Sequence, residues 1–252
     1  MICIPIVARE NAEALAMMER AMALAGLVEL RIDRMRNPDL KRLLGLRRIR
    51  AIVTNRRREE GGGFSGTEKE RVTLLSEAAR LGADYVDVEA ETDPALKEEL
   101  RRVCAGSGTK RIVSWHDFSG TPPAPFLKTR LAACMADRPD IVKTVTLAER
   151  AEDSLRVLEL IPLARQRGQA ITAFCMGEMG KISRVMAPLL GSAIHYAPLE
   201  PEGASAPGQL TAGRMREIHR VLRELIPGAE DHSLDAHLPG VAPAEEKRSF
   251  TL

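Results

Sequence analysis

Short apolar runs alternate along this chain with longer stretches whose apolar positions recur every three or four residues. The short runs fall at residues 2–7, 27–33, 49–54, 84–89, 111–115, 140–145, 170–176 and 192–196, and their length and content predict eight strands. The longer stretches predict helices at 11–25, 39–44, 68–81, 94–104, 125–136, 151–167, 181–190 and 212–225. The helix at 68–81 carries its own punctuation. Thr67 and Glu70 make a capping-box pattern that satisfies orphan backbone N–H groups at its start, and Gly82 supplies the stop. Pro162 falls inside the sixth helix, has no N–H for the helical ladder, and predicts a kink or a split there.

Strand-then-helix alternation implies parallel strands joined by right-handed crossovers. Eight such units favour an α/β sheet closed on itself, a (β/α)8 TIM barrel forming one domain over residues 1–227. The near-continuous apolar strands agree, because each is covered on both faces. The length of 252 residues suits such a barrel, which typically takes about 250. Residues 228–252, rich in Gly, Ala, Pro, Asp and Glu with weak periodicity, are expected to form a partly mobile surface tail.

Composition narrows the function classes. A net charge of +2 is too small to suggest nucleic acid or a membrane surface, and 3% aromatics leave little for base stacking. No apolar run approaches the ~20 residues of a membrane span, and no signal peptide precedes the first strand, so a cytoplasmic protein is expected. Cys3, Cys104, Cys134 and Cys175 show neither paired nor metal-ligand spacing and read as small buried thiols. No metal site is visible among the histidines.

Chemistry enters with Lys143, an amine in the middle of the apolar run Asp140-Ile141-Val142-Lys143-Thr144-Val145. Burial disfavours an ammonium, and a neutral lysine amine attacks carbonyl groups, so Schiff-base chemistry is the first reading; a simple ion pair is the bland one. In a barrel the active site lies at the C-terminal ends of the strands. Polar residues gather at those ends: Glu29 and Arg31 alternate on the second strand, Arg56 follows the third, Glu89 and Glu91 end the fourth, and His116 ends the fifth. Ser205 and Gln209 follow the eighth. Clustered titratable groups of this kind mark a site more often than a packing network.

Two turns are less telling. Gly61-Gly62-Gly63 lacks the spacing and lysine of a phosphate loop and reads as a flexible rim. Met176-Gly177-Glu178-Met179-Gly180, with Lys181 and Arg184 beyond it, is either a plain turn or an anion seat.

The ordered pieces Glu29-Leu30-Arg31-Ile32-Asp33, Thr54-Asn55-Arg56 with Glu60-Gly61-Gly62, Ser114-Trp115-His116-Asp117-Phe118 and Asp140-Ile141-Val142-Lys143 continue downstream. They are followed by Met176-Gly177-Glu178-Met179-Gly180 with Ser183-Arg184, then Ala204-Ser205-Ala206-Pro207-Gly208-Gln209. Together these pieces resemble type I 3-dehydroquinate dehydratase, the Schiff-base enzyme of the shikimate pathway. The resemblance implies that Lys143 forms an imine with the ketone of 3-dehydroquinate, that His116 acts as general acid and base, and that Glu60 orients His116. It implies that Glu29, Arg31 and Arg56 hold the ring hydroxyls, that Arg184 pairs with the carboxylate, and that Ser205 and Gln209 add hydrogen bonds from a closing loop. No cofactor is required, the product is 3-dehydroshikimate, and a homodimer is expected.

Four residues at three places depart from the family pattern. Thr144-Val145 stands where Ile-Ala is usual and adds a hydroxyl near the amine, Phe174 stands for methionine in the pocket wall, and Gly63 lengthens the stretch after Glu60. The rival readings are a class I aldolase or transaldolase, which wants a phosphate site at the last two strands, and a silent barrel that has lost a chemical residue.

Overall fold

The apolar runs form β1 (Ile2–Ile6), β2 (Leu27–Arg31), β3 (Arg50–Thr54), β4 (Tyr85–Glu89), β5 (Lys110–Asp117), β6 (Ile141–Leu147), β7 (Ala170–Met176) and β8 (His195–Tyr196) in the computed structural model. The structure describes residues 1–45 and 49–225, so the expected tail at 228–252 lies outside the described residues. All neighbours pair in parallel, in the order β7-β6-β5-β4-β3-β2-β1-β8. The fold is a nearly closed (β/α)8 barrel.

The seam lies between β7 and β8. No ladder joins them among the described residues; instead Ala193 N–H donates to the Ile171 carbonyl (2.8 Å) and Ile194 N–H to Thr172 Oγ1 (3.0 Å). The eighth strand, expected at 192–196, is therefore only two residues long, because the backbone before it bonds across the seam irregularly.

The helices are α1 (Asn11–Ala21), α2 (Leu40–Leu44), α3 (Glu68–Arg80), α4 (Pro94–Ser107), α5 (Ala124–Ala136), α6 (Ala151–Leu158), α7 (Leu160–Arg165), α8 (Lys181–Met186) and α9 (Ala212–Leu225). The Thr67–Glu70 capping box at the start of α3 is present in both directions. The helix expected over 151–167 is split into α6 and α7. Pro162 cannot donate to the carbonyl four residues back, at Leu158, and α6 ends there.

Side-chain alternation sorts each strand into two cores. Val28, Val53, Val86, Val113, Val142 and Ile171 face the helices. Cys3, Leu27, Ile52, Tyr85, Ile112, Ile141 and Ile194 fill the barrel floor. Each fully buried aliphatic side chain contributes about 1.5–3 kcal/mol relative to exposure. That apolar plug lets the same strands carry polar and charged groups two residues further on: Glu29 after Leu27, Asp87 after Tyr85, Ser114 after Ile112 and Lys143 after Ile141.

Candidate active site

Lys143 rises from the middle of β6 with its side chain almost fully buried. Its Nζ lies 3.0 Å from Asp87 Oδ2 and 3.3 Å from Glu29 Oε1, and 4.2 Å from the centre of the Tyr196 ring. Two carboxylates and an aromatic face therefore surround the amine. The buried amine is thus an ion-pair partner, as the bland reading of its sequence position expected.

Asp87 also ties Lys143 to Arg56. Arg56 Nη2 donates to Asp87 Oδ2 (2.7 Å), while Nη1 donates to Glu89 Oε1 (2.9 Å) and Ser114 Oγ (2.6 Å). Glu89 in turn pairs with the buried Arg71 of α3. Burial would raise the Asp87 carboxyl, but Arg56 and Lys143 beside it hold it well below the usual carboxylate range. Burial would likewise lower Arg56, and Asp87 and Glu89 hold it well above its ordinary value. Removing a partner from such a network would leave an uncompensated buried charge.

His116, near the end of β5, shares a carboxylate with its own backbone: Glu60 Oε2 lies 2.8 Å from Nδ1 and accepts the His116 N–H at 3.1 Å. Burial pushes Glu60 up to about 8, against the opposing pull of Arg56. Burial, with Arg56 and Lys143 nearby, holds His116 well below the ordinary imidazole value. With Nδ1 committed to Glu60, the other ring nitrogen is left for a ligand. Phe118 stacks on the imidazole, ring centres 6.4 Å apart.

Arg184 is the electrostatic exception. It is buried on α8, its Cζ sits 4.4 Å from the centre of the Phe174 ring, and no carboxylate pairs with it among the described residues. Its Nη2 donates to the Pro207 carbonyl (3.3 Å), and its Nε has no partner. Burial lowers it to about 10. A buried guanidinium without a counter-ion is costly, and an anionic ligand would relieve that cost.

The Ser205–Gln209 segment is docked over this cation. Gly177 N–H donates to Pro207 O (3.2 Å), and a Cβ on Gly208 would lie 2.2 Å from Gly177 O, so glycine is required for that approach. Gln209 Oε1 accepts from Ser205 N (2.7 Å) and Ala206 N (3.3 Å), which shapes the turn.

The nine residues to which the resemblance assigns a role all line one cleft of about 570 Å³, its open mouth included: Glu29, Arg31, Arg56, Glu60, His116, Lys143, Arg184, Ser205 and Gln209. Arg31 is held there by a two-pronged bond to Asp33, both contacts 2.8 Å. Glu91, read as part of the charged ring, instead points outward and pairs with Arg130. The glycines after Glu60 are pinned rather than a loose rim. A Cβ on Gly62 would lie 1.8 Å from Arg56 O, and Gly63 N–H donates to Asp33 Oδ2 (3.0 Å). Thr144 does not place its hydroxyl near the amine; it points to the other face of β6, where Oγ1 is buried without a partner. In the 176–180 segment residues Glu178–Gly180 form a single 3-10 turn, Gly177 N–H goes to Pro207 O (3.2 Å), and Lys181 pairs with Glu178. Asp87 and Tyr196 both contact the Lys143 amine, and sequence reading passes over them. Alternation within β4 puts Asp87 on the face of Tyr85 and Glu89, which is the signal that could have found it.

The type I 3-dehydroquinase family pattern matches residues 2–226. A 3-dehydroquinate dehydratase of Dehalococcoides mccartyi is 42% identical over 169 residues, 67% of this chain and 74% of that protein. One from Methanococcus maripaludis is 33% identical over 222 residues, 88% of this chain and 100% of that protein. The crystal structure of 3-dehydroquinate dehydratase from Geobacillus kaustophilus superposes with a TM-score of 0.81 at 29% identity, covering 88% of this chain and 91% of that one. With a match that runs from β1 through α9, the chain belongs to the type I 3-dehydroquinase family.

Proposed function

We propose that this barrel removes water from 3-dehydroquinate through an imine on Lys143, giving 3-dehydroshikimate in the shikimate pathway. The observation that carries the reading is a buried amine in the same cleft as a buried, unpaired guanidinium and a carboxylate-held imidazole. A ring bearing both a ketone and a carboxylate supplies a partner for each cation.

The carboxylate pairs with Arg184; His116 takes a proton from the Lys143 ammonium, the freed amine attacks the ketone carbon, and return of that proton to the adduct's hydroxyl expels water and leaves a protonated imine. That cation draws electrons from the neighbouring C–H bond far more strongly than a ketone does. His116 removes the proton, the electrons move into the enamine, and the enamine expels the next hydroxyl, which leaves as water with a proton from His116. Hydrolysis of the conjugated imine restores the amine, so the net change is loss of one water. Acid–base help of this kind contributes about 10²–10⁴-fold.

The positive charge stays on the Lys143 nitrogen through the imine stage. Asp87 and Glu29 already flank that atom, so they stabilise the imine without rearranging. Glu60 orients His116, Arg31 and Arg56 hold ring hydroxyls with Glu29, and Ser205 and Gln209 close the mouth. Lys143→Ala with a native circular dichroism spectrum should show no conversion of 3-dehydroquinate to its conjugated enone. A folded variant with residual turnover near that of the unaltered protein would contradict the reading.

The same reading sets the enzyme in the cytoplasm as a homodimer. Four free, buried cysteines suit a reducing compartment, and no helix among the described residues is long and apolar enough to cross a membrane. Leu155, Met179 and Ile182 expose apolar side chains on and beside α6 and α8, a surface suited to a second copy. Sedimentation equilibrium should give twice the chain mass; a monomer at micromolar concentration would contradict the pairing.

A further inference from the structure

The two buried cations that bracket the cleft rest on two aromatic rings that touch each other. Lys143 Nζ lies 4.2 Å from the Tyr196 ring centre, Arg184 Cζ lies 4.4 Å from the Phe174 ring centre, and the two ring centres are 6.0 Å apart at 53°. Both cation contacts fall inside the ~6 Å range in which a ring face attracts a positive charge. The tilt and spacing are those of a favourable ring pair.

The rings also sit where the backbone holds least. Phe174 is on β7 and Tyr196 on β8, the two strands that share no ladder among the described residues. Below them the seam is bridged by two hydrogen bonds at Ala193 and Ile194; at the level of the cleft the side chains span it. The contact uses the ring face of Tyr196, because its hydroxyl is buried without a hydrogen-bond partner.

We propose that Phe174 and Tyr196 form a rigid spacer that sets the separation between the Lys143 amine and the Arg184 guanidinium. They thereby act as positioning residues that select keto acids by the distance from ketone to carboxylate. The inference rests on the imine reading above. In 3-dehydroquinate the two groups are in a 1,3 relation on a six-membered ring. A spacer that holds the cations at that span favours such substrates over 1,4 isomers, for which the ketone reaches past the amine when the carboxylate is seated.

The test is borohydride trapping on the full chain with 3-oxocyclohexane-1-carboxylate and its 4-oxo isomer, reading adduct on the Lys143 peptide by mass spectrometry. The unaltered protein should trap the 3-oxo acid in preference. Because a misplacement of about 1 Å can cost on the order of 100-fold, Tyr196→Leu and Phe174→Leu should each lower that preference by about tenfold. Tyr196→Phe keeps the ring and should recover the preference lost with leucine. If leucine lowers the melting temperature too far for the assay, Phe174→Met keeps the volume without the ring and should show the same drop. A preference unchanged in the ringless variants would overturn the spacer, as would an equal loss of trapping for both isomers. Failure of the unaltered protein to trap either acid on Lys143 would overturn the imine assignment, and the spacer with it.

Discussion

The amine of Lys143 and the guanidinium of Arg56 meet at one atom, Asp87 Oδ2, at 3.0 and 2.7 Å. A single carboxylate oxygen thus serves the proposed nucleophile and a proposed binding cation together. Asp87→Asn keeps the shape and removes the charge. Breaking a buried pair in this way costs about 3–5 kcal/mol, so the variant should unfold at clearly lower urea and turn over slowly. Urea melts and steady-state rates check both; unchanged stability would show that Asp87 does not anchor the cations.

The pH profile should carry the mark of Glu60. Its carboxyl, ordinarily near 4.5, is pushed by burial up to about 8, so between those values the folded protein keeps a proton that the unfolded chain has released. Stability from this group is present at low pH and is lost as pH rises toward 8. His116 acts in the opposite sense: held well below its ordinary 6.5, it stays neutral while the unfolded chain takes up a proton, so stability falls as pH drops below 6.5. Glu60→Gln should remove the loss toward pH 8 and keep the acid-side one. It should also remove an inflection in kcat/KM near pH 8. An inflection that survives in the variant would assign it to another group.

Arg184 should separate binding from stability. It has no carboxylate partner among the described residues, so Arg184→Met removes a buried charge that the protein itself leaves without a counter-ion. The melting temperature should hold or rise. Affinity for substrate should fall by about 2–5 kcal/mol, the cost of losing a desolvated charge pair. Thermal melts with and without 3-dehydroquinate measure both effects, and an unchanged KM would move the carboxylate elsewhere.

Gly62→Ala tests the loop that carries Glu60. The added methyl would meet the Arg56 carbonyl at 1.8 Å, so the backbone must move. Overpacking of this kind typically costs about 1–3 kcal/mol. The shift also moves Glu60 away from His116, so turnover should drop by about tenfold or more, the usual price of misaligned catalytic groups. A variant with native melting temperature and rate would show that the loop has slack.

Much of this was legible in the residues themselves. Alternation put Glu29 and Arg31 on one face, and the capping box at Thr67–Glu70 fixed the start of α3, because both depend on neighbours a few residues away. Asp87 was hidden because a carboxylate in mid-strand has no local partner; Arg56 and Lys143 are 31 and 56 residues distant and meet it only when the barrel closes. Tyr196 depends on the same closure, through the pairing of β8 with β1. Glu91, two residues beyond Glu89, follows the end of β4 and leaves the ring. The glycines after Glu60 looked loose because their close contacts are to backbone at Arg56 and Asp33, which composition does not show.

The most direct test is to add borohydride to the protein turning over 3-dehydroquinate and to map the covalent mass. The account predicts one reduced adduct, of substrate or product, on the peptide that contains Lys143, with activity lost in proportion. An unmodified Lys143 peptide under conditions of full turnover, or an adduct on another lysine, would contradict it.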